Sequence, residues 1–479
     1  MSASVIPDRA ERRAAKRSDA DRVPAFKNFV WGASGISWAA NIMLLGWLSL
    51  YATDSLGLSP ATIGFVIAGS QILNAAGTLA ASYIVDRSPV TRWGKARPYE
   101  FAVPLVWLAT IGVFATPLSL DAVGRAVWIG VMFVLINGVF DPFLRSNDTL
   151  YMVRSFATRP QWAKVVTTAG FMTMVGVLPF AVVLPMLLDS AGKDPAKWTE
   201  IVVVIAVIMT VLGLTRFFLV KEKYGTADDA APPARVSDMA TAIRGNRWIW
   251  LYAVVPFIVA AVTSANVVGY YWRYIVGDLS LSGIMGVVGI VTLPALFIMP
   301  RLLRRFSVSQ LIIAAAAFGV VGNTIAALAW GNIPVLMVGG LIASIGILPG
   351  AYIAPIMVLD LCAFNEWKGN RRLESTIGAI GSIFNKVGAA LVAGFAGLML
   401  TVSGYDGAVD RQSPAALQTI NLLAFWLPAA LFLVLILAML VYGRFDRQVM
   451  PSIRKELAER ETVAEAANQP QDVTEGHQV

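Results

Sequence analysis

Residues 417–442 read LQTINLLAFWLPAALFLVLILAMLVY, and from 412 to 443 the chain carries no Asp, Glu, Lys or Arg. About 20 apolar helical residues suffice to cross the ~30 Å hydrocarbon core of a bilayer. A helix this apolar on every face has no surface to offer water. Eleven more runs of the same kind precede it, at 29–52, 60–85, 101–118, 124–147, 164–188, 200–220, 248–273, 280–300, 308–330, 333–358 and 375–402. The ninth and tenth runs are separated only by Gly331, Asn332 and Ile333. Together they are too long for one helix, and Gly-Asn is a turn signal. The expected fold is an all-α membrane protein of twelve transmembrane helices in two six-helix bundles. Composition agrees, with 57% hydrophobic residues and 14% charged, against about 25% charged in soluble domains. That balance excludes cytosolic enzymes, disordered scaffolds and secreted modules.

The net charge of +8 invites a nucleic-acid reading, but the placement of the basic residues argues for topology instead. Of 38 Lys and Arg, 32 lie on the side of the N-terminus, five on the opposite side, and Lys386 alone lies deep in a run. Cytoplasmic loops carry the excess of Lys and Arg, so both termini are expected in the cytoplasm and the protein in the inner membrane. Basic loops also meet anionic lipid heads, which makes membrane lipid the expected partner and nucleic acid not one. The tail 1–28, with Arg9, Arg12, Arg13, Lys16 and Arg17, lacks the apolar core of a signal peptide. Residues 221–247, with Asp228, Asp229, Pro232 and Pro233, read as a linker between bundles 29–220 and 248–442. The tail 443–479 is polar, with a short surface helix expected over 452–466. Paired bundles of six place a solute site near the midplane, in a protein expected to be monomeric.

Charge at membrane depth costs roughly 2.5–3.5 kcal/mol on insertion scales, so each polar residue inside a run needs a reason. Lys386 shares a helix face with Ser375, Ala379, Ser382, Ala390 and Ala393. It reads either as a cavity lysine for an anionic solute group or mobile carboxylate, or as a structural ammonium tying the bundles together. Asp141 is its candidate counter-charge, on a stripe of Asn137, Asp141, Arg145 and Asp148. Asp141 can equally pair with Arg145 along its own helix. Gln71, Asn74, Thr78 and Ser82 form a polar ridge in the second run. Their oxygens suit a sodium site, a hydroxylated solute, or plain hydrogen bonding between helices. Ser34, Trp38 and Asn41 share a face of the first run, where Trp38 can stack on a sugar ring or an apolar solute. Tyr270, Tyr271 and Trp272 read as belt anchors at the membrane boundary.

Catalytic chemistry finds no footing. One cysteine, Cys362, and one histidine, His477, exclude a disulfide framework and a multi-histidine metal site. No nucleophile–base pair and no phosphate-binding loop occurs. The protein is expected not to be an enzyme and to need no cofactor beyond a coupling ion, H+ or Na+.

Two loops carry the most specific signal. After the second run stands Asp86-Arg87-Ser88-Pro89-Val90-Thr91-Arg92-Trp93-Gly94-Lys95-Ala96-Arg97-Pro98-Tyr99. After the tenth stand Asp360 and then Glu366-Trp367-Lys368-Gly369-Asn370-Arg371-Arg372-Leu373-Glu374-Ser375. They resemble the DR…RWGK.RP and D…GEWK…R.E loops of the glycoside-pentoside-hexuronide:cation symporters, the melibiose-permease-like branch of the major facilitator superfamily. The resemblance implies gating by charged loop ends, here Asp86, Arg87, Arg92, Lys95, Arg97, Arg145, Asp360, Glu366, Arg372 and Glu374. Such pairs hold one access state shut and break in the other; simple topological anchoring is the other reading.

Departures from the family pattern concern the chemistry. Where the family has two cation-site aspartates, this chain has Asn74 and Thr78. A sugar-binding aspartate of the family falls near Trp38, an arginine near Ala169, and an acidic residue at Phe140 or Asp141. Lys386 matches. The chain thus reads as a divergent member, a secondary active transporter moving a small sugar- or glycoside-like solute by alternating access with cation coupling. Trp38, Asn41, Asn74, Asp141 and Lys386 are the candidate solute contacts. Asn74, Thr78, Asp141 and Lys386 are the candidate coupling residues. A carrier of an amphiphilic or apolar solute without sodium coupling is one alternative, and a non-transporting sensor on the same fold is another.

Overall fold

Side-chain caps mark where the chain turns from loop to helix. Ser59 accepts the Thr62 amide at 3.2 Å ahead of Pro60, the first residue of its helix. Asp121 accepts from Gly124 at 2.8 Å, and Ser307 with Gln310 forms a reciprocal capping box. Each satisfies amides that a helix start leaves without partners. Where the ninth and tenth runs meet, Trp330 (φ 42°) and Gly331 (φ 88°) both turn left-handed. The Gly331 amide donates to the Tyr271 hydroxyl at 3.0 Å, so the expected break is a built turn.

The computed structural model describes residues 23–223, 246–284, 298–299, 301–369 and 374–468, and among these every regular element is helical. In order, the first half holds α1 (Ala25–Leu45), α2 (Leu48–Asp54), α3 (Pro60–Arg87), α4 (Ala102–Phe114), α5 (Ala122–Val134), α6 (Asp141–Ser155), α7 (Arg159–Ala191) and α8 (Pro195–Leu219). The second half holds α9 (Trp248–Thr263), α10 (Val308–Ala329), α11 (Ile333–Tyr352), α12 (Ala354–Trp367), α13 (Glu374–Val402), α14 (Pro414–Asn421), α15 (Leu427–Arg444) and α16 (Met450–Asn468). Among the described residues, nine helices are long and apolar enough to span a bilayer. The expected third span is the shorter α4, the tenth is split between α11 and α12, and most of 280–300 lies outside the described residues. The surface helix expected over 452–466 is α16.

The two halves meet where small residues let backbones touch. A Cβ on Gly64 of α3 would lie 2.7 Å from the Ala393 carbonyl of α13, and one on Gly397 would lie 2.3 Å from the Pro60 carbonyl. With no hydrophobic drive between helices in lipid, such close packing is what holds them.

Burial shows which end is shut. One apolar cluster joins Leu48, Tyr51 and Leu58 of the first half to Tyr270, Tyr271, Leu400 and Tyr405 of the second, at the end away from the termini. Nearer the termini the described halves keep separate clusters, one around Trp31, Tyr151 and Phe156 and the other around Trp248, Phe364 and Phe445. The molecule is closed at the far end. Tyr270, Tyr271 and Trp272 belong to that closure and are at most 1% exposed, which corrects their reading as lipid-boundary anchors. Tyr270 shares a 3.1 Å hydrogen bond with Thr53 across the halves, so its hydroxyl is satisfied by protein rather than by headgroups. On the rim of that closed end Lys193 donates to Asp410 at 2.8 Å, and that bond holds the Asp410 carboxyl below the usual range.

Candidate functional site

Between α1, α4, α6, α7 and α8 lies a cavity of about 230 Å³. Its wall includes Trp31, Trp38, Asn41, Trp107, Arg145 and Arg216. The helical period sets Ser34, Trp38 and Asn41 on one face of α1, as the sequence predicts. Asn41 donates to Thr110 Oγ1 at 2.8 Å, and Trp107 Nε1 donates to Ser37 Oγ at 3.0 Å. The polar atoms of the wall are thus fixed by one another.

Trp38 is the centre of this arrangement. Its Nε1 donates to Asp141 Oδ1 at 2.9 Å. The Arg145 guanidinium stands 3.2 Å from its ring centroid and, through Nε, 3.4 Å from the same Asp141 oxygen. Cation, ring and carboxylate form a closed triangle. Stacking of this kind suits guanidinium, which is planar and weakly hydrated. The Arg145 side chain remains 44% exposed and lines the cavity. Lys386 approaches on α13 from the other half. Its electrostatic neighbours are Asp141 and Arg145, and among the described residues no carboxylate lies within 4.0 Å of it.

A second ion cluster stands in the cavity wall, which Arg216 and Asp148 both line. Arg216, 5% exposed, donates to both carboxylate oxygens of Glu100, at 2.8 and 2.7 Å, and also to Asp148. Asn147 Nδ2 adds a 3.3 Å bond to Glu100. In the sequence Arg216 counts only among the basic residues on the side of the N-terminus, and its role is missed. The signal was an arginine four residues inside an apolar run, with Glu100 on the far side of a loop to answer it.

The polar ridge of α3 is organised otherwise. Asn74 Nδ2 donates to the Asn137 carbonyl at 2.6 Å, Thr78 to the Asn74 carbonyl at 2.8 Å, and Ser82 bonds Ser146 at 2.9 Å. Among the described residues no hydrogen bond links Asn74 or Thr78 to Asp141. Asn137 lies in a π-helical stretch, Leu135–Phe140, that puts an extra residue into the turn before Asp141. It turns its amide back to the Phe133 carbonyl at 3.2 Å.

The loop residues settle locally. Arg87 stacks on Tyr83 and Arg92 on Trp93, at 3.7 and 4.6 Å. Arg97 Nε donates to the Phe217 carbonyl at 2.6 Å. Glu222, unmarked in the sequence, accepts the backbone amides of Lys95, Ala96 and Arg97 at 3.0, 2.8 and 2.8 Å and pairs with Arg154 at 3.6 Å. Gly94, at φ 109°, leaves it room: a Cβ there would strike the Glu222 carboxylate. Asp360 pairs with Arg454 of α16, where burial pushes its carboxyl up and the Arg454 hydrogen bond and charge pull it down. Glu366 sits at the end of α12, beside Trp367, whose Nε1 donates to Glu456 at 2.7 Å. Arg372 lies outside the described residues, as do the side chains of Asp86 and Glu374. No group of three or more His, Cys, Asp or Glu placed to hold a metal occurs among the described residues.

A helical body apolar toward lipid, shut at one end and hollow behind the closure, is the build of a membrane transporter. Residues 32–443 match the family model described as MFS/sugar transport protein, and the chain belongs to that family. It is therefore a major facilitator secondary transporter, not an enzyme, within a family of sugar-like solute carriers. It is 23% identical to an isoprimeverose transporter of Lactiplantibacillus pentosus, over 92% of this chain and 94% of that one. It is 28% identical to an uncharacterized symporter, YnaJ, of Bacillus subtilis, over 87% and 91%. The fold matches a crystal structure of the nucleoside transporter NupG at a TM-score of 0.64 and 13% identity, covering 87% of this chain and 98% of that one.

Proposed function

We propose that the protein moves a sugar-like solute across the inner membrane by alternating access, as a monomer with both termini in the cytoplasm. Bundles 29–220 and 248–442, joined by 221–247, rock about the α3–α13 contact. On this orientation, supported by the lopsided basic residues, the closed far end faces outward and the cavity is reached from the cytoplasm. The observation that carries the reading is the Trp38–Arg145–Asp141 triangle at the edge of a cavity walled mostly by apolar side chains, with Asn41, Arg145, Asp148 and Arg216 among them. An indole edge held by a carboxylate gives a rigid platform for a pyranose face, and Asn41, the free edge of Arg145 and Lys386 supply donors for its oxygens. Coupling falls to a proton on Asp141, whose pairing with Arg145 and proximity to Lys386 make its charge consequential. Asn74 and Thr78 have their described bonds within the helix layer and are not among the residues lining the cavity. Asp86, Arg87, Arg92, Lys95, Arg97, Asp360, Glu366, Arg372 and Glu374 would gate the cytoplasmic end when it closes.

Thermal stabilisation of the purified protein by isoprimeverose, D-xylose, methyl glucoside, a glucuronide and a medium-chain fatty acid tests the reading. A ligand that binds only the folded state raises its apparent stability. Stabilisation by at least one sugar, lost in Trp38→Ala, is expected. Stabilisation by the fatty acid alone would replace the sugar reading with an amphiphile carrier.

A further inference from the structure

At the closed end lies a charged cluster that takes no part in the solute cavity. Asp54 ends α2, and its side chain is 2% exposed. Its hydroxyl-bearing neighbour Thr53 belongs to the same half, but its other partners come from the second half. Tyr274 donates to Asp54 Oδ2 at 2.7 Å, Arg273 Nε lies 3.2 Å from the same oxygen, and Tyr405 donates to Oδ1. Tyr274 and Tyr405 hydrogen-bond each other at 3.2 Å, and their rings meet edge to face with Tyr270 also against Tyr405. The backbone closes over the cluster: a Cβ on Gly407 would lie 2.3 Å from the Thr53 carbonyl. The Ala61 amide donates to Thr401 across the same seam at 2.9 Å.

The cluster divides by charge along the seam between the halves. The anion belongs to one half, while the cation that neutralises it and both phenols that hydrogen-bond it belong to the other. A buried carboxylate is tolerable only while it is paired and hydrogen-bonded. With the far end closed, that condition is met. As the halves part there, Asp54 must leave Arg273, Tyr274 and Tyr405 together and be rehydrated in one step. The arrangement is bistable, because partial separation would leave an unpaired charge in a dry seam.

We infer that Asp54, with Arg273, Tyr274 and Tyr405, is a cross-half latch that sets how much of the protein is closed at the end away from the termini. Its residues position the access equilibrium and do not touch the solute. The inference rests on alternating access, and its test separates the two. Leu400, 2% exposed in the seam, becomes the reporter as Leu400→Cys, with the buried Cys362 as the background control. Thiol labelling by a soluble maleimide is followed on the full chain in nanodiscs, so insertion direction does not matter.

Asp54→Asn keeps the shape but removes the charge. It should raise the Leu400→Cys labelling rate roughly tenfold or more, since losing one partner of a buried ion pair is costly. Tyr405→Phe, a milder change, should raise it by a smaller factor. Combining the two should give less than the product of the single effects, because they act on one network. Sugar stabilisation of the protein should survive in all three. Unchanged labelling in Tyr405→Phe and in Asp54→Asn overturns the latch. If Asp54→Asn fails to insert, an unchanged rate in Tyr405→Phe alone overturns it. Failure of any sugar to stabilise the unmodified protein would sink the sugar reading and leave the latch result intact.

Discussion

Trp38 joins two roles that are separable by mutation, since its N–H holds Asp141 and its face carries Arg145. Trp38→Phe keeps an aromatic face and loses only the donor. A hydrogen bond to a charged group is worth about 1.5–3 kcal/mol, so a KM about tenfold higher is expected in uptake assays. Trp38→Ala should lose the platform as well and raise KM at least another ~10-fold. Asp141→Asn bears on coupling: uphill uptake should vanish while counterflow in proteoliposomes persists. Loss of both, or of neither, would move the proton elsewhere. Lys386, Asp141 and Trp38 were legible because charge or indole deep in an apolar run stands out. Glu222 and Asp54 were not. Each stands in a polar stretch where a carboxylate looks ordinary, and only the folded chain shows three amides converging on one and a second-half arginine on the other.

Among the elements, α3 and α13 show why glycines sit in spanning helices. Gly64 and Gly397 face backbone, which cannot yield as a side chain can. Gly397→Val should therefore cost transport, and overpacking of this kind typically destabilises by about 1–3 kcal/mol. A lowered melting temperature with reduced uptake would show it. The ion cluster tying the turn at Arg97–Phe101 to α6 and α8 makes the opposite case, of loss rather than excess. Arg216→Leu strands Glu100, which is fully buried. Removing one member of a buried pair costs roughly 3–5 kcal/mol, and thermal unfolding of the purified variant should register it. Helix positions were readable from runs of apolar residues, whereas caps such as Ser59 and Ser307 came to light only in the folded chain. The π-helical stretch before Asp141 was not, because nothing in LINGVF departs from ordinary helical patterning.

Across the whole molecule, lipid as solvent decided most of the fold. Backbone groups in hydrocarbon must be satisfied within the chain, so long uncharged runs allow little besides helices, and the loops between them bear the charge. Epitope tags at both termini should accordingly be reachable only after the inner membrane is permeabilised in spheroplasts. A tag labelled from outside would reverse the assignment of the closed end. The access state itself was beyond sequence reading, because it depends on which cross-half contacts outweigh the others. Tyr270, for example, looks the same in sequence whether it faces headgroups or Thr53.

The three tryptophans around the cavity make the protein its own optical reporter. Trp38 is 37% exposed while Trp31 and Trp107 are 6% and 2% exposed, so one indole senses the cavity contents and two sense its wall. A ring settling beside Trp38 would strip water from that indole and shift its emission to shorter wavelength. Occupancy could then be followed in real time without a label, and the Trp38→Phe variant would remove the signal together with its source.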